Sequence, residues 1–84
     1  MIYLGIGSNL GNKIRNIEVA KFKLTQNGVN IVETSSYYES LSWPNQKNPK
    51  FLNIVLKIKT DLAPKQLLKI CKKIEIQLGR KKSF

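Results

Sequence analysis

The stretch FLNIVLKIKT, residues 51–60, carries the clearest structural signal in the chain. Apolar side chains occupy every second position, and Lys57 and Lys59 fall between them on the opposite side. A period of two residues is the period of a β-strand, whose successive side chains point to opposite faces of the sheet. The stretch therefore predicts a strand with one face in the core, formed by Leu52, Ile54, Leu56 and Ile58.

Two more strands and a helix are predicted before this segment. Ile2, Leu4 and Ile6 alternate before a glycine-rich break and indicate a first strand, while residues 29–39 are rich in β-branched and aromatic residues and indicate a second. Between them lies a helix with a cap at Asn9 or Asn12 and an end at Asn27-Gly28. Its apolar positions are spaced at helical intervals: Ile14, Ile17, Ala20 and Leu24.

A loop and a second helix flank the central segment. Residues 40–50 contain prolines and asparagines and predict an irregular loop of a length that is more often functional than connecting. Pro64 suits the first turn of the helix, and Gly79 suits its end. The apolar face of this helix consists of Leu67, Cys71, Ile74 and Leu78.

The predicted order is β-α-β-β-α, and 84 residues leave room for a single domain over residues 1–84. The fold class is α+β, with a three-stranded antiparallel sheet covered by two helices. One more strand would complete the β-α-β-β-α-β ferredoxin-like unit. The chain thus predicts a ferredoxin-like arrangement that lacks its final strand.

Charge and residue content exclude several classes of protein. Fifteen Lys and Arg against five acids give a formal charge of +10, which attracts anionic ligands, although A/T-rich codons for Ile, Lys and Asn explain it equally well. No histidine is present, which excludes His-ligated zinc and a Ser–His pair. Cys71 is the sole cysteine, which fits a reducing compartment, and no secretory signal is present, so we expect a cytoplasmic protein. No apolar run reaches about 18 residues, so we expect no membrane span.

The glycine-rich segment Gly5 to Gly11 matches neither a dinucleotide fingerprint nor a P-loop, so tight turns are the predicted reason for its glycines. The five acids form no Asp pair and no cluster, so we predict that none of them is a metal ligand. Cys71 lies on the apolar helix face and is interpreted as a packing residue.

Four segments, taken in order, resemble the N-terminal half of the 6-hydroxymethyl-7,8-dihydropterin pyrophosphokinase family of the folate pathway. The resemblance runs over the whole chain, and its specificity comes from four motifs in register. The segments are Gly7-Ser8-Asn9-Leu10-Gly11; Ser35-Ser36-Tyr37-Tyr38-Glu39; Asn48-Pro49-Lys50-Phe51-Leu52-Asn53; and Leu62-Ala63-Pro64 with Leu67-Leu68, Ile74-Glu75 and Leu78-Gly79-Arg80.

The resemblance implies transfer of a pyrophosphoryl group from ATP to the hydroxymethyl oxygen of the pterin, with release of AMP and two Mg²⁺ ions on the triphosphate. It implies Arg80 as a catalytic, charge-stabilising arginine. The implied pterin-binding residues are Asn9, Ser40, Leu41, Trp43, Phe51 and Asn53, and the implied ATP-binding residues are Lys72, Glu75, Arg80 and Lys82.

The family continues beyond this point with a strand that carries the two Mg²⁺-binding aspartates, and this chain lacks them. We therefore expect a truncated or split form that is inactive alone, with a second fragment as a partner. Two alternatives stay open at this stage. One is a small basic α/β module for nucleic acid, suggested by the charge and by Lys57 and Lys59. The other is a remnant without a ligand.

Overall fold

The computed structural model describes residues 2–9, 11–40 and 50–78. Six elements follow one another along the chain, two of them helices of 14 residues each. In order they are β1 (Ile2–Ser8), α1 (Lys13–Gln26), β2 (Val29–Thr34), β3 (Tyr38–Ser40), β4 (Phe51–Thr60) and α2 (Pro64–Gln77).

The strand predicted from residues 51–60 is confirmed and lies at the centre of the sheet. One edge of β4 pairs with β1, so that Gly7 lies opposite Asn53. Its other edge pairs with β2 near Thr60 and with β3 near Phe51. All three pairings are antiparallel. Among the residues that the structure describes, β1 has a strand on one side only.

The prediction of a single strand over residues 29–39, and hence of a three-stranded sheet, is wrong. The sheet has four strands, because the chain leaves the regular ladder between Thr34 and Tyr38. At Ser35 the backbone N–H still donates to the Val55 carbonyl at 2.9 Å, but the Val55 N–H donates to the Ser35 hydroxyl at 2.8 Å instead of to a backbone carbonyl. Because the Ser35 hydroxyl takes the place of a backbone acceptor, the ladder is interrupted there. The two resulting strands, β2 and β3, pair with the same edge of β4.

The helix boundaries agree with the turn chemistry of the sequence. Asn12 rather than Asn9 caps α1, since its side-chain oxygen accepts a hydrogen bond from the Arg15 N–H at 3.1 Å. Gly28 has a φ of +88°, the left-handed conformation expected after the helix. Pro64 is the first residue of α2, where its missing N–H costs nothing.

The core lies between one face of the sheet and the two helices. Ile54, Leu56 and Ile58 of β4 are buried there, as the alternation predicted. α1 contributes Ile17, Ala20 and Leu24, α2 contributes Leu67 and Ile74, and β2 contributes Val29. The opposite face, called the outer face below, carries Gly7, Asn53, Val55 and Lys57. Within the described ranges no helix is both long and apolar enough to cross a membrane.

Candidate functional site

Asn53 is the centre of a polar arrangement on the outer face, near the start of β4. Its side-chain nitrogen donates to the Ser40 hydroxyl at 2.8 Å and to the Tyr38 carbonyl at 3.3 Å, both on β3. It also approaches the Phe51 carbonyl of its own strand at 3.3 Å. Because both amide hydrogens are directed at β3 and β4, the amide oxygen is directed at β1.

Gly7 provides the space that this orientation needs. A Cβ built on Gly7 would lie 2.7 Å from the Asn53 amide oxygen and 3.5 Å from a ring carbon of Phe51. The prediction that the glycines serve turns is correct for Gly11, whose φ is +59°. It is wrong for Gly7, which lies inside β1 and is required there by a close approach of a side chain.

The structure brings three of the residues assigned to pterin binding together. Ser40 pairs with Phe51 across the β3–β4 ladder, and both are next to Asn53. Asn9 follows Ser8, the last residue of β1, which pairs with Leu52. The remaining two, Leu41 and Trp43, lie outside the described residues. Their roles in binding stay predictions.

A cavity of about 120 Å³ lies between β1, α1 and α2, on the face of the sheet that the helices cover. Its walls are mainly apolar, with Leu4, Ile6 and Ile17 among them. The polar groups along it are Ser8, Asn9, Asn16 and Glu75, and the Asn16 amide nitrogen donates to the Ser8 hydroxyl at 3.1 Å. The cavity therefore connects a residue assigned to the pterin with one assigned to ATP.

Glu75 is the only residue of the proposed ATP set that lines this cavity among those described. It is half-buried on α2, whereas Lys72 of the same helix is exposed. Arg80 and Lys82 lie outside the described residues. Burial, and to a lesser degree the charge of Glu75, raises the pKa of the neighbouring Cys71 thiol. That direction agrees with the interpretation of Cys71 as a packing residue, since a raised pKa makes a thiol less reactive.

The acids of this chain do not fit a Mg²⁺ site. Glu18 binds Tyr37 and Lys21, and Glu33 is paired with Lys57 at 3.4 Å. In the described part of the chain no three acidic, histidine or cysteine side chains come together. The described acids therefore form no cluster of the carboxylate kind that Mg²⁺ prefers in proteins.

The sequence does not predict two of the contacts near the site. The Lys13 ammonium group donates to the Lys50 carbonyl at 2.8 Å, and the Tyr37 hydroxyl donates to the Glu18 carboxylate. The partners are 37 and 19 residues apart, respectively. Local periodicity carries no information about pairs so distant in sequence. The family resemblance indicated the segment Ser35–Glu39, which contains Tyr37, but it did not indicate the partner of Tyr37.

Comparison with known proteins shows the family of this chain. The family model of 7,8-dihydro-6-hydroxymethylpterin-pyrophosphokinase matches residues 3–84. The chain belongs to this family. The resemblance read from the four sequence motifs is thereby confirmed, and the comparison does not favour the nucleic-acid module.

Relatives in this pyrophosphokinase family come from bacteria and from eukaryotes. The 2-amino-4-hydroxy-6-hydroxymethyldihydropteridine pyrophosphokinase of Aquifex aeolicus is 45% identical over 99% of this chain and 51% of its own length. The enzyme of the same name from Haemophilus influenzae is 35% identical over 93% of this chain and 49% of its own length. A folic acid synthesis protein of Pneumocystis carinii is 42% identical over 96% of this chain and 11% of its own length. The chain thus spans about half the length of the bacterial relatives that it matches.

Proposed function

We propose that this chain supplies the pterin-binding part of an enzyme that transfers a pyrophosphoryl group from ATP to 6-hydroxymethyl-7,8-dihydropterin. The observation that carries the proposal is the oriented amide of Asn53, beside Phe51 on the sheet face that neither helix covers. A pterin is a flat heteroaromatic molecule with hydrogen-bonding edges. An oriented amide reads such an edge, and an aromatic ring covers such a face.

The triphosphate would lie on the side of the chain where Lys72 and Glu75 are found. Positive charge of Lys72, and of Arg80 and Lys82 beyond the described residues, would attract the phosphates and stabilise charge that develops during transfer. Glu75 lines the cavity on the helix-covered face, opposite the Asn53 amide, so the nucleotide would meet the pterin around the end of β1 near Asn9. In this scheme the chain binds and positions both substrates, and Arg80 acts at the phosphoryl group that reacts.

Catalysis would require a second polypeptide segment. Mg²⁺ neutralises the triphosphate in reactions of this class, and the acids of this chain do not fit its site. We place this segment along the edge of β1 away from β4, beside which the described part of the chain has no further strand, because residues 2–6 contain no charge and no proline that would protect an edge strand. An added strand there would cover the apolar cavity between β1 and α2.

Binding is tested with the chain alone, by titrating the pterin and following its fluorescence. We expect saturable binding that Asn53→Ala weakens by about tenfold, near the upper end of the effect of one net hydrogen bond. Asn30→Ala is the matched control, since Asn30 is an exposed asparagine at the other end of the sheet, paired with Lys59. Binding that is equally strong in both variants would argue against the assigned pocket.

Catalysis is tested by the release of AMP from ATP and Mg²⁺ in the presence of the pterin. We expect none from the chain alone, and release after addition of a polypeptide corresponding to the C-terminal half of the Aquifex aeolicus relative. Turnover by the chain alone would refute the requirement for a second segment. No turnover in the mixture, with binding of that polypeptide verified by sedimentation, would refute the proposed division of the enzyme.

A further inference from the structure

The connection between β2 and β3 is anchored on two sides. Ser35 fixes its beginning to the central strand through the two hydrogen bonds with Val55, at 2.9 and 2.8 Å. The Tyr37 hydroxyl fixes its end to Glu18 of α1. Glu18 is itself paired with Lys21 one turn further along the helix, at 3.3 Å.

Tyr37 immediately precedes β3, which has only three residues. Such a short strand has few ladder bonds of its own, so its position depends on what holds its ends. At one end is Tyr37. At the other end is Ser40, whose hydroxyl accepts the hydrogen bond from the Asn53 side chain at 2.8 Å.

The orientation of the Asn53 amide therefore depends on where β3 lies. Two of its three hydrogen-bond acceptors, the Tyr38 carbonyl and the Ser40 hydroxyl, belong to β3. A small displacement of β3 lengthens both bonds together. The third acceptor, the Phe51 carbonyl at 3.3 Å, does not by itself direct the amide oxygen toward Gly7.

We propose that Tyr37 and Glu18 are positioning residues that hold β3 in the place where it orients the Asn53 amide. They act through β3 and do not touch the substrate. The inference rests on the proposed function only where substrate affinity is measured, since the orientation of the amide is observable in the chain without ligand.

The ligand-free test is nuclear magnetic resonance of the Asn53 side-chain amide. We expect Tyr37→Phe and Glu18→Ala to shift its two proton resonances and to speed their exchange with water. Glu18→Gln should give an intermediate effect, because a neutral amide oxygen still accepts from the tyrosine but more weakly. Tyr3→Phe and Glu33→Ala are matched controls, since both residues lie at the opposite end of the outer face, next to Lys57.

The second measurement is the dissociation constant of the pterin. We expect Tyr37→Phe and Glu18→Ala to raise it about three- to tenfold, the range of one net hydrogen bond, while the controls leave it unchanged. An Asn53 amide spectrum that is the same in Tyr37→Phe as in the parent overturns the inference, whatever the affinities are. A parent chain that binds no pterin refutes the proposed function, and the amide spectra still decide the inference.

Discussion

At the scale of single residues, Gly7 shows how the absence of a side chain positions a functional group. We expect Gly7→Ala to weaken pterin binding by at least about tenfold, because its Cβ would lie 2.7 Å from the Asn53 amide oxygen and displace it. The free energy of unfolding should change by less than about 0.5 kcal/mol, since alanine is favoured over glycine in a strand and offsets the crowding. Fluorescence titration and urea unfolding measure the two quantities.

Gly5→Ala is the control for this prediction. Gly5 lies on the same strand and the same face, two residues away, but nothing is within 4 Å of the position of its Cβ. Binding should be unaffected, and stability should rise by about 0.5 kcal/mol as the unfolded chain loses freedom. Equal affinities for the two variants would mean that pterin binding does not depend on the close approach of the Asn53 amide oxygen to Gly7.

The Tyr37–Glu18 contact should also depend on pH at both extremes. The hydrogen bond from Tyr37 is the main cause that lowers the pKa of Glu18 below its ordinary value of 4.5. The same bond is the main cause that raises the pKa of Tyr37 above its ordinary value of 10.0. The stability that Glu18 contributes is thus lost as the pH falls below 4.5, and that of Tyr37 is lost as the pH rises above 10.0.

The measurement for this pH dependence is the difference in the urea unfolding midpoint between the parent chain and Tyr37→Phe. We expect a small constant difference between pH 6 and 9, and a decrease toward zero on either side. Both groups are exposed, so the difference should be small throughout. A difference that grows as the pH falls below 4.5 would contradict the assigned direction for Glu18.

At the scale of elements, α2 begins with an incomplete cap. The Ala63 N–H donates to the Gln66 side chain at 3.0 Å, but alanine has no oxygen to accept the N–H of the first turn in return. Ala63 has an extended conformation, with φ −65° and ψ 151°, that serine adopts readily. We expect Ala63→Ser to raise the free energy of unfolding by about 0.5–1 kcal/mol.

Urea unfolding followed by circular dichroism measures this gain. Ala63→Val is the control, because valine also accepts an extended backbone but offers no hydrogen-bond acceptor. If valine stabilises the chain as much as serine does, the effect is due to backbone preference and the capping argument fails.

The elements that were predicted correctly are those whose signals are local. The alternation in residues 51–60 predicted β4 and its buried face, and Asn27-Gly28 and Pro64 predicted helix ends. The division of residues 29–39 was not predicted, because β-branched residues continue the strand pattern while the Ser35 hydroxyl replaces one backbone acceptor. In the site, the family resemblance predicted Asn53 and Ser40. It did not predict the roles of Gly7 and Tyr37, because these depend on contacts between residues distant in sequence.

At the scale of the whole molecule, the surplus of positive charge opposes folding. The chain carries a formal charge of +10, and the ion pairs among the described residues are two partly exposed ones, Lys21–Glu18 and Lys57–Glu33. Exposed pairs stabilise by little, whereas repulsion among the excess cations acts over the whole surface. Screening of this repulsion should therefore outweigh the loss of the two pairs.

We accordingly expect stability to increase with salt. The Debye length falls from about 30 Å at 0.01 M to about 10 Å at 0.1 M ionic strength, so most of the gain should appear below about 0.1 M. The urea midpoint should rise equally in NaCl and KCl, while an uncharged osmolyte at equal osmolality should not reproduce that steep early rise. A midpoint that falls as salt is added would mean that specific ion pairs, and not general repulsion, dominate the electrostatics of this fold.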